Sequence, residues 1–177
     1  MIPQDTGKPR PSVRIVHLNA AAFTALISGD LEAANRACPV PVSDYLVGPE
    51  PRGTWQRRLA QALEDPSTAA WTTGIVRDEV TGAAVGRAGF HGPPDASGMV
   101  EIGYAIDPLH RRQGYARAAL EALLTRAAAE PDVRRVRVTI SPDNVASIGL
   151  ALPYGFVEVG EQEDEEDGLE IIYDLAM

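Results

Sequence analysis

One short segment of this 177-residue chain has the residue types and spacing to hold an anion: Arg111-Arg112-Gln113-Gly114-Tyr115-Ala116. It lies where a strand pattern ends and the strongest helical pattern of the chain begins, so several of its backbone N–H groups have no intrahelical partner. Gly114 permits backbone angles that other residues resist, and the small Ala116 lets a ligand approach closely. A helix N-terminus adds roughly half a positive charge. A pyrophosphate fits such a turn; a plain helix start with one glycine and two surface arginines is the other reading of the same six residues. Two familiar phosphate motifs are absent. A Walker A loop ends in Gly-Lys-Ser/Thr where this chain has Gly-Tyr-Ala, and a dinucleotide fingerprint needs a third glycine and an acid about 20 residues on, where Arg134 and Arg135 stand.

Glu101 is the other residue of interest. It stands among apolar and small residues on a strand pattern, on the same side as Gly103 and Ala105, whose small side chains are expected to leave a cleft. Partial burial there is expected to raise its pKa toward neutrality, as suits a general base; a carboxylate on the solvated face of a half-buried strand is the alternative. Metal chemistry finds little support. Cys38 is the sole cysteine, and His17, His91 and His110 are too scattered to propose a zinc site.

The elements that must position these groups follow from periodicity. Residues 1–11 hold Pro3, Gly7, Pro9 and Pro11 with few apolar residues and are expected to form a flexible tail, leaving 12–177 as a single domain. Ala20–Ser28 predicts a helix capped by Asn19 and ended at Gly29; Trp55, Leu59, Ala62 and Leu63 recur at helical spacing before Pro66. Residues 71–77 and Ala84–Phe90 predict a hairpin, and Met99–Ile106 a strand with Val100, Ile102, Tyr104 and Ile106 on one face. The stripe Ala116, Ala119, Leu120, Leu123, Leu124 and Ala127 predicts a helix from Gly114 to about Ala129. Residues 133–140 follow as a strand, 144–152 as a short helix, and 156–160 and 169–176 as a closing hairpin around an acidic loop. Strand, helix, strand implies a parallel pair with a right-handed crossover. The expected fold is therefore α/β (α+β): a mixed, mostly antiparallel sheet with a central parallel strand pair joined by a helix.

The net charge of −9 argues against nucleic acid as a partner, because affinity for phosphate backbones rests on Lys and Arg. No apolar run approaches the roughly 20 residues of a membrane helix, and the N-terminal residues lack the pattern of a signal peptide. The expected location is cytoplasmic, away from membranes, as a monomer or homodimer.

With these residues in view, Arg111-x-x-Gly114-x-Ala116 resembles the Arg/Gln-x-x-Gly-x-Gly/Ala signature of Gcn5-related N-acetyltransferases. The preceding Val100-Glu101-Ile102-Gly103-Tyr104-Ala105-Ile106-Asp107-Pro108 is similar to the strand before that signature in the ribosomal-protein alanine acetyltransferase (RimJ/RimL) branch. Asn144-Val145-Ala146-Ser147-Ile148, followed by Gly155-Phe156, resembles its Asn-x-x-Ser helix start and Gly-Phe turn. The resemblance runs from about Gly74 to the C-terminus.

It implies a single acetyltransferase domain with acetyl-coenzyme A as cosubstrate and no metal. By the same resemblance, Arg111, Arg112, Gln113, Gly114, Tyr115 and Ala116 bind the pyrophosphate, and Asn144 the pantetheine arm, unless it is a plain helix cap. A backbone N–H near Ile106 polarises the thioester carbonyl. Glu101 aligns with a glutamate base in the family's histone-acetylating members. The family's usual tyrosine acid is replaced by Ala151. Ser147 is the candidate acid in its stead, with Tyr154 a second possibility. Glu161, Glu163, Asp164, Glu165, Glu166, Asp167 and Glu170 form either a solvated loop or a negative field that steers cationic amines. The amine acceptor is then a small molecule or a peptide. A non-catalytic acyl-coenzyme A binding or sensing module is the rival reading.

Overall fold

In the computed structural model, which describes residues 10–164 and 168–177, seven strands form one sheet in the order β1-β2-β3-β4-β5-β7-β6. The strands are β1 (Val13–Val16), β2 (Gly74–Asp78), β3 (Ala84–Phe90), β4 (Met99–Ile106), β5 (Arg135–Ile140), β6 (Val157–Asp164) and β7 (Gly168–Ala176). The β4/β5 pair is parallel and the other pairs are antiparallel, as the strand, helix, strand pattern requires. Residues 1–9, most of the expected tail, lie outside the described residues. Arg10 lies 3.7 Å from Glu121, and Pro11 stands beside Gly114.

The helices are α1 (Ala20–Ser28), α2 (Leu31–Ala37), α3 (Asp44–Val47), α4 (Pro49–Glu64), α5 (Tyr115–Ala129) and α6 (Val145–Ala151). Asn19 caps α1 by accepting the Ala22 N–H, and Gly29 ends it in the left-handed region. The crossover helix α5 buries Tyr115, Ala119, Leu120, Leu123 and Ala127 against Val100, Ile102 and Val136 of the sheet. A second apolar cluster gathers Phe23, Leu26, Leu46 and Trp55 from α1, α3 and α4 with Ile75 of β2.

Three expectations are corrected. The first third holds four helices rather than two, and β1, four residues long, is too short to declare itself by alternation. Residues 66–71 form a 3₁₀ helix, so the hairpin begins at Gly74 and not at Trp71. The acidic stretch is largely strand: Glu161, Glu163 and Asp164 belong to β6, and Glu170 to β7. As an edge strand with nearly every side chain in water, β6 accommodates like charges at little cost. Glu165, Glu166 and Asp167 lie outside the described residues.

Candidate active site

Strands β4 and β5 pair only from Met99 to Glu101 on β4, opposite residues 135–137; beyond that point β5 continues along β7 while β4 continues along β3. The sheet therefore opens into a notch. His91 N–H donates to Glu101 O, and Asp107 N–H to Val85 O. By the alternation of an antiparallel ladder, odd-numbered residues of β4 turn their backbone groups to β3, and the even-numbered Tyr104 and Ile106 turn theirs to the notch.

A cleft of about 1050 Å³ occupies this opening, lined by Tyr104, Ala105 and Ile106 of β4, residues 111–116, and Asn144 and Ser147 at the start of α6. All the residues of the candidate anion-binding turn are thus brought to one place with Asn144 and Ser147. Gly114, the N-cap of α5, has φ of +92°, and Arg112 at +60° is the non-glycine residue with positive φ among the described residues. Both residues are in the left-handed region, and no side chain caps the start of α5. Tyr115 contributes through its backbone: its ring is buried and its hydroxyl donates to Asp78 Oδ2. Arg111 folds back, Nε donating to Ile106 O at 3.0 Å, and so braces the turn against the end of β4. Gln113 likewise donates to Leu109 O.

Asn144 is a helix cap, its Oδ1 accepting the Ser147 N–H at 3.1 Å, which leaves its NH₂ group for a ligand. Ala151, where the family's tyrosine would stand, is buried. Tyr154 is committed elsewhere: its hydroxyl donates to Glu121 Oε1 at 2.6 Å, and burial together with that carboxylate pushes it up to about 12. Its hydroxyl is thus already paired, and it is not among the residues lining the cleft.

Sequence periodicity placed Tyr104 on one face of its strand with Val100, Ile102 and Ile106. Its ring does pack against the core cluster, but the residue is only half-buried and lines the cleft. Its hydroxyl is out of water beside Ser147 and makes no hydrogen bond of sound geometry among the described residues. Burial pushes this phenol up, tempered by Ser147, so it carries its proton at neutral pH.

Glu101 lies on the opposite face of β4 from the α5 core, with its side chain 24% exposed. Thr139 donates to its Oε1 at 2.8 Å, His91 Nδ1 stands 3.6 Å from the same oxygen, and Arg137 is nearby. The expected upward shift is reversed. Burial pushes the carboxyl up, but His91, the Thr139 hydrogen bond and Arg137 together outweigh it and hold Glu101 below its ordinary value. The expected open cleft above Gly103 is also filled: a Cβ built there would stand 2.9 Å from His91 Nε2. The sequence contained one usable signal for His91, its position at the end of a strand pattern just before a turn. Only the hairpin register sets it opposite Glu101.

Comparison with known proteins gives the family to which this fold and cleft belong. The profile of the acetyltransferase (GNAT) domain matches residues 20–157, and the chain belongs to that family. It is 38% identical over 73 residues to the uncharacterized N-acetyltransferase YjdG of Bacillus subtilis, a stretch covering 41% of this chain and 44% of that protein. It is 31% identical over 105 residues to an L-2,4-diaminobutyric acid acetyltransferase of Streptomyces anulatus, covering 59% of this chain and 57% of the relative. The chain thus matches about half the length of these curated relatives. Its fold is shared with RimL, a ribosomal alpha-N-protein acetyltransferase solved with coenzyme A, at a TM-score of 0.64, 19% identity and coverage of 99% and 97%. It is shared equally with mutant forms of the spermidine/spermine N-acetyltransferase SpeG from Vibrio cholerae, at a TM-score of 0.64, 13% identity and coverage of 93% and 95%.

Proposed function

We propose that this chain is an N-acetyltransferase that moves the acetyl group of acetyl-coenzyme A to a primary amine by direct attack within a ternary complex. The observation that carries the reading is the convergence, in one cleft, of an uncapped helix N-terminus with two left-handed residues, the free edge of β4, and the Asn144 and Ser147 side chains. Acetyl-coenzyme A, when bound, supplies the thioester carbonyl and the leaving thiol.

Residues 111–116 hold the pyrophosphate through backbone N–H groups and the dipole of α5. The Asn144 NH₂ group donates to the pantetheine arm. The notch-facing N–H groups of Tyr104 and Ile106 polarise the carbonyl as negative charge develops on its oxygen. The Tyr104 and Ser147 hydroxyls, adjacent in the cleft, give a proton to the departing thiolate. Glu101, ionised at neutral pH, draws a cationic amine to the other face of β4.

A small cationic amine or a peptide N-terminus suits the chain's negative charge, and diaminobutyric acid and spermidine, named for two of the similar proteins, are amines of the first kind. An amine-library screen with acetyl-coenzyme A, reading thiol release, tests the proposal. Release with at least one amine is expected. Tight coenzyme binding without release on any amine would replace the transferase reading with that of a binding module.

A further inference from the structure

The proposed reaction needs a group that removes a proton from an amine whose reference pKa is near 10, and Glu101, held ionised and weakly basic, is poorly suited to that task. The imidazole beside it is better placed. His91 lies in the row of side chains that β3 and β4 turn to the same face, opposite Glu101, with Gly89 opposite Gly103 and Arg87 opposite Ala105 further along. Its ring runs along β4 from the Glu101 carboxylate, 3.6 Å from Nδ1, to Gly103, over which Nε2 lies. The next residue on that face, Ala105, lines the coenzyme cleft. Nε2 therefore points from the carboxylate toward the place where the two substrates must meet.

Both partners are held from outside the pair. The Thr139 hydroxyl fixes Glu101 Oε1. The His91 carbonyl accepts from Gln61 Nε2 at 2.8 Å and from Arg58 Nη1 at 3.2 Å, both on α4, and Arg58 is itself buried and bonded to Thr73. The His91 side chain is 42% exposed, so an amine and a proton can reach it. Among the described residues, the imidazole faces Glu101 of β4, Arg58 of α4 bonds the His91 carbonyl, and Arg137 of β5 acts on Glu101.

Resting on the transferase reading, we propose that His91 is the general base for the acceptor amine and that Glu101 is its positioning residue. Glu101 fixes the tautomer with the proton on Nδ1, as a carboxylate does for an imidazole in a hydrolase triad, leaving the Nε2 lone pair free. Nε2 takes one proton from the ammonium and exposes the nitrogen lone pair. The C–N bond then forms and the C–S bond breaks. The amide nitrogen sheds its second proton to solvent, the thiolate takes one from the Tyr104 and Ser147 hydroxyls, which recover it from solvent, and the imidazolium returns its own to solvent. One proton is released for each acetyl transferred.

The first test needs no acceptor. With three histidines in the chain, nitrogen NMR of the imidazoles can be assigned by replacing each with Gln. His91 is expected as the Nδ1–H tautomer in the wild type and as a mixture richer in Nε2–H in Glu101→Ala. An Nε2–H tautomer in the wild type overturns the proposal. The second test uses the acceptor found by the amine screen. His91→Gln is expected to lower kcat/KM by about 10²-fold at neutral pH, less as pH rises, with acetyl-coenzyme A affinity by calorimetry unchanged within about twofold. Glu101→Gln is expected to lower kcat/KM as the imidazole loses its fixed tautomer, and Glu101→Asp restores part of the loss. Wild-type turnover and pH profile in His91→Gln overturn the His91 assignment alone. A wild type that binds no acetyl-coenzyme A overturns the transferase reading and this assignment with it.

Discussion

The guanidinium of Arg111 donates from Nε to the carbonyl oxygen of Ile106, tying the turn proposed to hold the pyrophosphate to the end of β4. A charge-assisted hydrogen bond of this kind contributes about 1.5–3 kcal/mol when shielded and less when exposed, as Arg111 is. Arg111→Ala is therefore expected to weaken acetyl-coenzyme A binding by about 10-fold. Arg111→Lys, which lacks the Nε–H at that position, restores little. Calorimetry decides it; unchanged affinity in Arg111→Ala would detach the brace from binding.

Gly114→Asp is expected to abolish coenzyme binding. A φ of +92° strains any residue with a Cβ, which would also stand 3.2 Å from the Pro11 ring, and the new carboxylate would repel a pyrophosphate. Near-normal affinity in a folded variant, read by calorimetry alongside circular dichroism, would move the phosphate site elsewhere.

Tyr104→Phe should separate stability from activity. The hydroxyl makes no hydrogen bond of sound geometry among the described residues, so its removal is expected to cost little and to leave Tm nearly unchanged. Turnover is nevertheless expected to fall about 10-fold or more if the hydroxyl serves the departing thiolate, with coenzyme affinity little altered. A variant equal to wild type in kcat would return Tyr104 to a packing role.

The buried Tyr115–Asp78 hydrogen bond anchors the start of α5 to β2 and predicts how stability varies with pH. Asp78 is held below its ordinary value by the Tyr115 hydroxyl and by N–H groups of the following turn, so its contribution is present above the unfolded pKa and is lost as pH falls through the folded one. Tyr115 is pushed up to about 12 by burial and by Asp78, so its contribution is complete below about 10 and is lost as pH rises toward 12. Tyr115→Phe is expected to lower Tm by about 5 °C at neutral pH and to flatten both limbs. Thermal melts across a pH series check this, and unchanged limbs would mean that other groups set them.

The features legible in the sequence are those governed by neighbours along the chain. The helix α5 follows from apolar residues three and four apart, β4 from alternation, and the tight turn into α5 from Gly114 at a helix start whose N–H groups lack partners. Even the parallel β4/β5 pair follows locally, since a strand, a helix and a strand leave few other arrangements. Tertiary structure alone decided which side chains meet across the sheet. Thr139 reaches Glu101 over 38 residues, and His91 faces Glu101 only in the observed register, where a slip of one residue would turn either to the other side. The direction of the Glu101 shift was equally out of reach, because burial and neighbouring charges oppose each other there and their balance depends on distances between elements. The same holds for Tyr104 and Tyr154: whether a tyrosine hydroxyl is free or bound is set by what the packed helices α5 and α6 place beside it.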